Sequence, residues 1–364
     1  MSPAFPPSAA PGAPLAPFPP ADGYGPRTAE AYAYGAGPAP PVRLALHPVP
    51  PGWAYAVVSY WEERLPGQAQ RTTLQKSIRV AATRQPTGEL HVRYEAAPPV
   101  FQKPDVTSFE RVLLLLADLY QHLELRVLPT GQVVGVHNAA QIQQTGARVK
   151  TELVRRSGGE DEFTRVLLAG LDEQLGRPGA VLASLRLDYF FGFLLQNVYG
   201  QRFESGFRYG QARCFPQFFA GQDLWFWERL ELAPPTGPAR VALRLRGQPD
   251  PVRTDLAAVA QQLDVARPLL LPDALAVPTP PQALCLAYEA TVELDAATGW
   301  PVSVEASVRC GVADGYGKEY FIRLEQQPPT PRARPDKNTC ATGPSAAATR
   351  APCPASSRCW PTRP

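Results

Sequence analysis

Only four histidines occur in 364 residues, and two of them share a short segment with a carboxylate. The stretch HLELRVLPTGQVVGVHN, residues 122–138, alternates apolar and polar residues on both sides of Thr130-Gly131. That pattern predicts a β-hairpin. A two-residue loop pairs Pro129 with Gln132 and Glu124 with His137. His122 lies two residues from Glu124, so His122, Glu124 and His137 share one face. Two imidazoles and a carboxylate are the donor set of a facial metal triad. The opposite face carries Leu123, Leu125 and Val127 against Val134 and Val136, and it must be the buried one. Arg126 shares the polar face and repels a cation. The simpler reading is a solvent face, with a metal-dependent enzyme built on the triad as the alternative.

Aromatic residues make the second concentration. Phe190, Phe191 and Phe193 end an apolar helix, and Phe215, Phe218, Phe219, Trp225, Phe226 and Trp227 crowd a short stretch. Phe218, Phe219, Trp225 and Trp227 are candidates for lining a hydrophobic pocket between sheet and helices. The same residues would serve an ordinary core, because large aromatics dominate cores as well as pockets. On a strand, Trp225 and Trp227 share a face and Phe226 points to the other.

Other chemistry is absent from the pattern. There is no GxSxG, no HExxH and no GxGxxG opening a helix. Gly311–Lys318 (GVADGYGK) has one residue too many for a phosphate loop, and Glu319 stands where Ser or Thr would bind magnesium. No motif implies a cofactor, and no residue takes a catalytic role. The cysteines of the central region, Cys214, Cys285 and Cys310, are widely spaced and form no CxxC, which predicts reduced packing thiols.

The elements that must position these residues emerge from the rest of the chain. Of 43 prolines, fifteen fall in residues 1–51 and nine in 328–364. Those ends cannot bury enough apolar surface to offset chain entropy, so both are predicted to be disordered tails. Between them, Thr-Gly pairs at 87–88, 130–131, 236–237 and 298–299 each separate two alternating segments, predicting four hairpins. Further strands are expected at Trp53–Arg64, Arg202–Arg213, Leu224–Leu232 and Glu319–Leu324. Helices are expected over Phe109–Tyr120, from an Asn138 cap to about Arg156, and along the stripe Phe163, Val166, Leu167, Leu171 and Leu175. One more runs from about Ala180 to Asn197, apolar nearly all round and therefore buried, and a short one over Thr254–Leu263. The expected fold is α+β: about nine to eleven antiparallel strands in hairpins and meanders, packed against a central group of helices. Residues 52–327 form the body. Segments 52–138 and 202–327 read as two related lobes joined by helices 139–199.

Charge and hydropathy exclude further classes. The body carries 28 basic and 30 acidic residues, a net of −2, and lacks the clustered Lys/Arg of a nucleic-acid face. No apolar run approaches the roughly 18 residues of a membrane span. The first residues have no basic n-region, which predicts a soluble, cytoplasmic setting. Three function classes remain. The first is a non-catalytic structural or partner-binding module, its partner another protein. The second is a carrier of a hydrophobic ligand, since helices covering a curved antiparallel sheet resemble the lipoprotein-carrier half-barrel. The third is an enzyme on the hairpin triad.

Overall fold

The structure, a computed structural model, describes residues 42–65, 68–157, 161–177, 179–195, 198–204, 208–219, 221–234, 237, 239–270, 283–312 and 316–328. The predicted tails fall outside these residues, apart from 42–51 and Pro328. So does most of the predicted Thr236-Gly237 turn.

Among the described residues, twelve antiparallel strands form one large sheet, which makes the fold α+β as expected. In chain order they are β2 (Val49–Leu65), β3 (Gln68–Arg84), β4 (Leu90–Ala96), β5 (Val100–Phe101), β6 (His122–Val127), β7 (Val133–Val136), β9 (Arg208–Phe219), β10 (Gln222–Ala233), β11 (Arg240–Pro249), β12 (Leu284–Asp295), β13 (Pro301–Val312) and β14 (Gly317–Gln326). Two short strands, β1 (Val42–Arg43) and β8 (Arg202–Phe203), pair separately. The large sheet runs β7-β6-β4-β3-β2-β14-β13-β12-β11-β10-β9, with β5 added beside β3. The C-terminal strand β14 pairs with β2 from Gly317↔Arg64 to Gln326↔Tyr55. Strands from segments 52–138 and 202–327 therefore belong to one continuous sheet.

Six helices lie among the described residues: α1 (Ser108–Ala117, continued by a 3-10 turn, Asp118–Tyr120), α2 (Ala139–Ser157), α3 (Glu162–Gly176), α4 (Ala180–Leu187), α5 (Tyr189–Leu194) and α6 (Leu256–Leu270). Local chemistry sets their starts. Thr107 and Glu110 form a reciprocal capping box on α1. Asp161 caps α3 by accepting from the Thr164 N–H at 2.8 Å.

The sheet is curled. Strands stand about 4.8 Å apart, so the six steps from β2 to β9 would span about 29 Å if flat. Yet the rings of Trp61 on β2 and Phe218 on β9 are 5.5 Å apart. Phe219 on β9 likewise lies 5.7 Å from Tyr316, just before β14. Only a sheet rolled onto itself brings these side chains together. Inside the roll sits α5, whose Tyr189 meets Trp61, Phe215 and Tyr320 while Phe193 meets Tyr288. Close packing there requires a glycine: a Cβ on Gly247 of β11 would stand 2.7 Å from the Tyr288 ring and 2.9 Å from Phe226.

Three expectations are corrected. The helix predicted over 180–197 is two helices, because Asp188 adopts an extended backbone and its carboxylate accepts from the Phe190 and Phe191 N–H groups, starting a new helix. The 122–137 hairpin has a three-residue loop, Pro129-Thr130-Gly131, rather than two. Leu128 donates to Gln132 O, Gly131 takes a φ of +81°, and the register slips by one at Val127↔Val133. This is the turn-plus-bulge geometry that a left-handed glycine permits. Finally, residues 42–51 are not tail. Leu44, Leu46 and Val49 are buried in the core, and the Trp300 indole donates to His47 O at 2.9 Å.

Candidate functional site

Cross-strand partners share a face, so the register sorts side chains into those lining the inside of the roll and those outside. On β2 the inner set is Tyr55, Val57, Ser59, Trp61 and Glu63, facing Ile78, Lys76, Leu74, Thr72 and Gln70 of β3. Along this row burial changes. Tyr55, Val57 and Ile78 are buried, whereas Ser59, Trp61, Glu63, Thr72, Leu74 and Lys76 are only half-buried. The inner face is thus filled at one end and open at the other.

Asp188 is exposed; burial raises its carboxyl pKa, against the opposing pull of Lys76 and of the Phe190 and Phe191 N–H groups. Asp188 caps α5 one residue before Tyr189, which packs on Trp61, and this half-buried stretch of the inner face is the candidate recess. Lys76 reports the same from the sheet side: it is half-buried, and desolvation lowers its pKa, partly offset by Asp188. Asp188 also acts electrostatically on the hydroxyls of Tyr94, Tyr120, Tyr189 and Tyr320, raising their pKa.

The walls are largely aromatic. Trp61 packs against Tyr320 at 4.7 Å, Phe218 at 5.5 Å and Tyr189 at 6.2 Å. Tyr189 donates to Pro216 O at 2.6 Å, which ties α5 to β9. On the other side, Tyr94 packs on Phe190 and Phe191. Burial raises the hydroxyl pKa of Tyr120 to about 12 and pushes Tyr94, Tyr189 and Tyr320 higher still. All four are neutral donors or acceptors at any physiological pH. The lysines lie on ring faces: Lys76 Nζ is 4.2 Å from the Phe190 centroid and Lys318 Nζ 4.7 Å from that of Trp61. Deeper in the roll Glu228 is fully buried, accepting from the Tyr288 hydroxyl at 2.6 Å and from Gln211. That carboxylate is satisfied and has a structural explanation.

Of the four aromatic candidates from the sequence, the structure brings two to this region. Phe218 joins the Trp61–Tyr189 wall, and Phe219 packs on Tyr316. Trp225 and Trp227 alternate with the buried Leu224, Phe226 and Glu228 and so face outward. Trp225 lies beneath the Arg253 guanidinium at 5.4 Å, and Trp227 fills the space left by Gly210 on β9.

The hairpin triad is on the outer face. His122 and His137 are exposed and Glu124 is half-buried, while Leu123, Leu125, Val127 and Val133 are buried. The bulge places Val133 inward, where Val134 was expected. Across β4 and β6, Glu95 stands opposite His122 and Arg93 opposite Glu124. His91, which the sequence reading passed over, packs edge-on to His137 at 5.1 Å, with its Nε2 3.5 Å from Glu124 Oε2. Arg126 forms a two-pronged ion pair with Glu89. Asn138 spends its side chain on β6, accepting from the Glu124 N–H and donating to His122 O. Among the described residues, no three His, Cys, Asp or Glu side chains converge as metal ligands would.

The recess itself was missed in the sequence. Trp61 falls in an expected strand and Asp188 in an expected continuous helix, and no pattern singles out Lys76. One signal was present: the chain has only five lysines against 31 arginines, and two of those five line the inside of the roll.

No family model and no curated protein matches the chain. Among solved structures, two illustrate a low level of similarity. One is described as lipid-protein interactions in lipovitellin, with 8% identity and a TM-score of 0.37 over 78% of this chain and 26% of that one. The other is the complex structure of Pseudomonas aeruginosa MucA/MucB, with 12% identity and a TM-score of 0.11 over 75% of this chain and 89% of that one. Likeness at this level carries no argument. Among the described residues no helix is long and apolar enough to cross a membrane.

Proposed function

We propose that this protein is a non-enzymatic carrier that holds a hydrophobic ligand in the recess between α5 and the open end of the curled sheet. The observation that carries the reading is the change along the inner face of β2 and β3 from buried Tyr55, Val57 and Ile78 to half-buried Ser59, Trp61, Thr72 and Leu74, beside the rings of Tyr189, Phe218 and Tyr320. Apolar and aromatic walls with a few placed polar groups are the usual make-up of a small-molecule site. Reduced thiols support a cytoplasmic setting: Cys214, Cys285 and Cys310 are all free, and burial pushes Cys214 and Cys310 up to about 12. The near-balanced charge of the body supports a partner other than nucleic acid. Organic extraction of the purified full chain, followed by mass spectrometry, tests the carrier reading. A stoichiometric apolar or amphiphilic molecule is expected, and a protein that extracts clean and takes up none on incubation with a lipid mixture contradicts it.

A second reading, a protein-binding module, has its own observation. Phe109 on α1 and Phe163 and Val166 on α3 are each more than half exposed, and the two phenyl rings touch at 6.0 Å. Exposed apolar clusters of this kind mark interaction surfaces. Pull-down with wild type and with Phe109→Ser/Phe163→Ser distinguishes it, since only a binding surface loses a specific partner.

A further inference from the structure

Helix α1 is built inside out. A surface helix normally turns its apolar stripe to the core and its charges to water. Here the buried residue is Glu110, which closes the capping box with Thr107 and pairs with Lys103 at 2.7 Å. Phe109 and Leu113, four residues apart on one face, are 55% and 39% exposed. Helix α3 begins in the same way, with Phe163 51% and Val166 55% exposed. The Phe109 and Phe163 rings meet edge to face at 6.0 Å, so the four side chains make one continuous patch across two helices. Its rim carries both signs of charge. Glu162 and Arg165, one residue before Phe163 and Val166, are exposed, and among the described residues neither forms an ion pair within 4 Å.

We propose that a second copy of this chain covers the patch. The two patches meet about a two-fold axis, so that the phenyl pair of each packs on that of the other and Arg165 of each copy faces Glu162 of the other. This inference rests on the reading of the α1–α3 face as a protein-binding surface. A two-fold contact uses the same surface twice, so an apolar centre with one cation and one anion at its rim is complementary to itself. A partner of one dominant charge would meet repulsion along half of that rim. Area agrees. A free phenylalanine side chain presents roughly 200 Å², so the four exposed fractions amount to about 400 Å² of apolar surface. Two such patches together remove about 800 Å², and at about 60% apolar the whole contact comes to roughly 1,300 Å². That is enough for a specific interface, which begins at about 1,200 Å².

Sedimentation velocity of the full chain, from low micromolar to a few hundred micromolar, reads the association directly. A concentration-dependent shift from monomer to dimer, with no larger species, is expected. Phe109→Ser/Phe163→Ser should weaken the dimer by about tenfold or more, as loss of central aromatic contacts does. Glu162→Arg and Arg165→Glu should each weaken it by placing like charges together, and the chain carrying both exchanges should regain it. Should the phenylalanine variant fail to fold, that rescue decides the matter. A wild-type chain that stays monomeric throughout, or a dimer indifferent to both sets of substitutions, overturns the proposal. If the chain is monomeric and Phe109→Ser/Phe163→Ser loses a different protein in pull-down, the binding-surface reading stands without the second copy. If it loses none, that reading falls as well. Flotation of a monomeric chain with phosphatidylcholine vesicles, abolished by the same pair of substitutions, would give the face to a lipid surface and overturn both.

Discussion

Removing residues 1–51 rather than 1–41 should cost the protein most of its stability. The ten extra residues include β1 and three core side chains, Leu44, Leu46 and Val49, none more than 4% exposed. Each buried aliphatic side chain contributes about 1.5–3 kcal/mol, so the three together supply roughly 5–9 kcal/mol. The backbone is engaged as well. Gly200 donates to Leu44 O, His47 donates to Thr298 O, and the Trp300 indole donates to His47 O. Deletion leaves the last of these donors in a fully buried tryptophan without its partner. A loss of that size is comparable with the whole stability of a typical domain, about 5–15 kcal/mol. Thermal and urea unfolding followed by circular dichroism should therefore show the 42–364 chain melting with the full chain and the 52–364 chain unfolded or insoluble at room temperature. Leu46→Ala, in the full chain, should fall between them with a loss of about 2–5 kcal/mol. If the two truncated chains melt within about 2 °C of each other, residues 42–51 are not part of the core and the packing described above is wrong.

On the β6–β7 hairpin, Leu125→Ala should destabilise by about 2–5 kcal/mol and His122→Ala by no more than about 0.5 kcal/mol, measured by urea unfolding. Comparable losses from both would contradict the assignment of faces. Acid should weaken the protein through Glu62. Burial alone would raise its pKa, but hydrogen bonds from Arg64 and Arg71 outweigh burial and hold it below its ordinary value of 4.5. A carboxyl with a lowered folded pKa stabilises above its unfolded pKa, and that contribution fades as pH falls through the folded value. The melting temperature should drop between about pH 5 and pH 3, and less steeply in Glu62→Gln; equal slopes would refute the role of this network.

The sequence revealed strands better than their arrangement. Period-two alternation around Thr87-Gly88, Thr130-Gly131 and Thr298-Gly299 located the hairpins, because each alternation records one wet and one dry face. Nothing local records that β14 pairs with β2 across more than 250 residues, or that the sheet rolls until Trp61 meets Phe218. Proline content misplaced the start of the body at residue 52. Leu44, Leu46 and Val49 alternate among residues of tail-like composition, and their burial depends on Pro129, Thr298 and Trp300 far along the chain. The error at Asp188 had a local cause: one aspartate in an apolar helical run looks like an isolated polar residue, although aspartate is a strong helix N-cap. The hairpin triad came from a register that is correct at Leu125↔Val136 and Arg126↔Gly135 but slips at the turn. His91 could have been added only by knowing that β4 lies beside β6.

The carrier reading stands on one spatial claim, that the inner face of the sheet beside Trp61 is space a ligand can occupy. Thr72 faces Trp61 across β2 and β3 and is half-buried on that inner face, so Thr72→Trp should fill the recess without disturbing the packed end of the roll. Native mass spectrometry of the full chain with a long-chain carboxylate is the most direct test. A one-to-one complex for the wild type that is lost in a folded Thr72→Trp protein is the predicted result, and an adduct that persists unchanged in Thr72→Trp would contradict it.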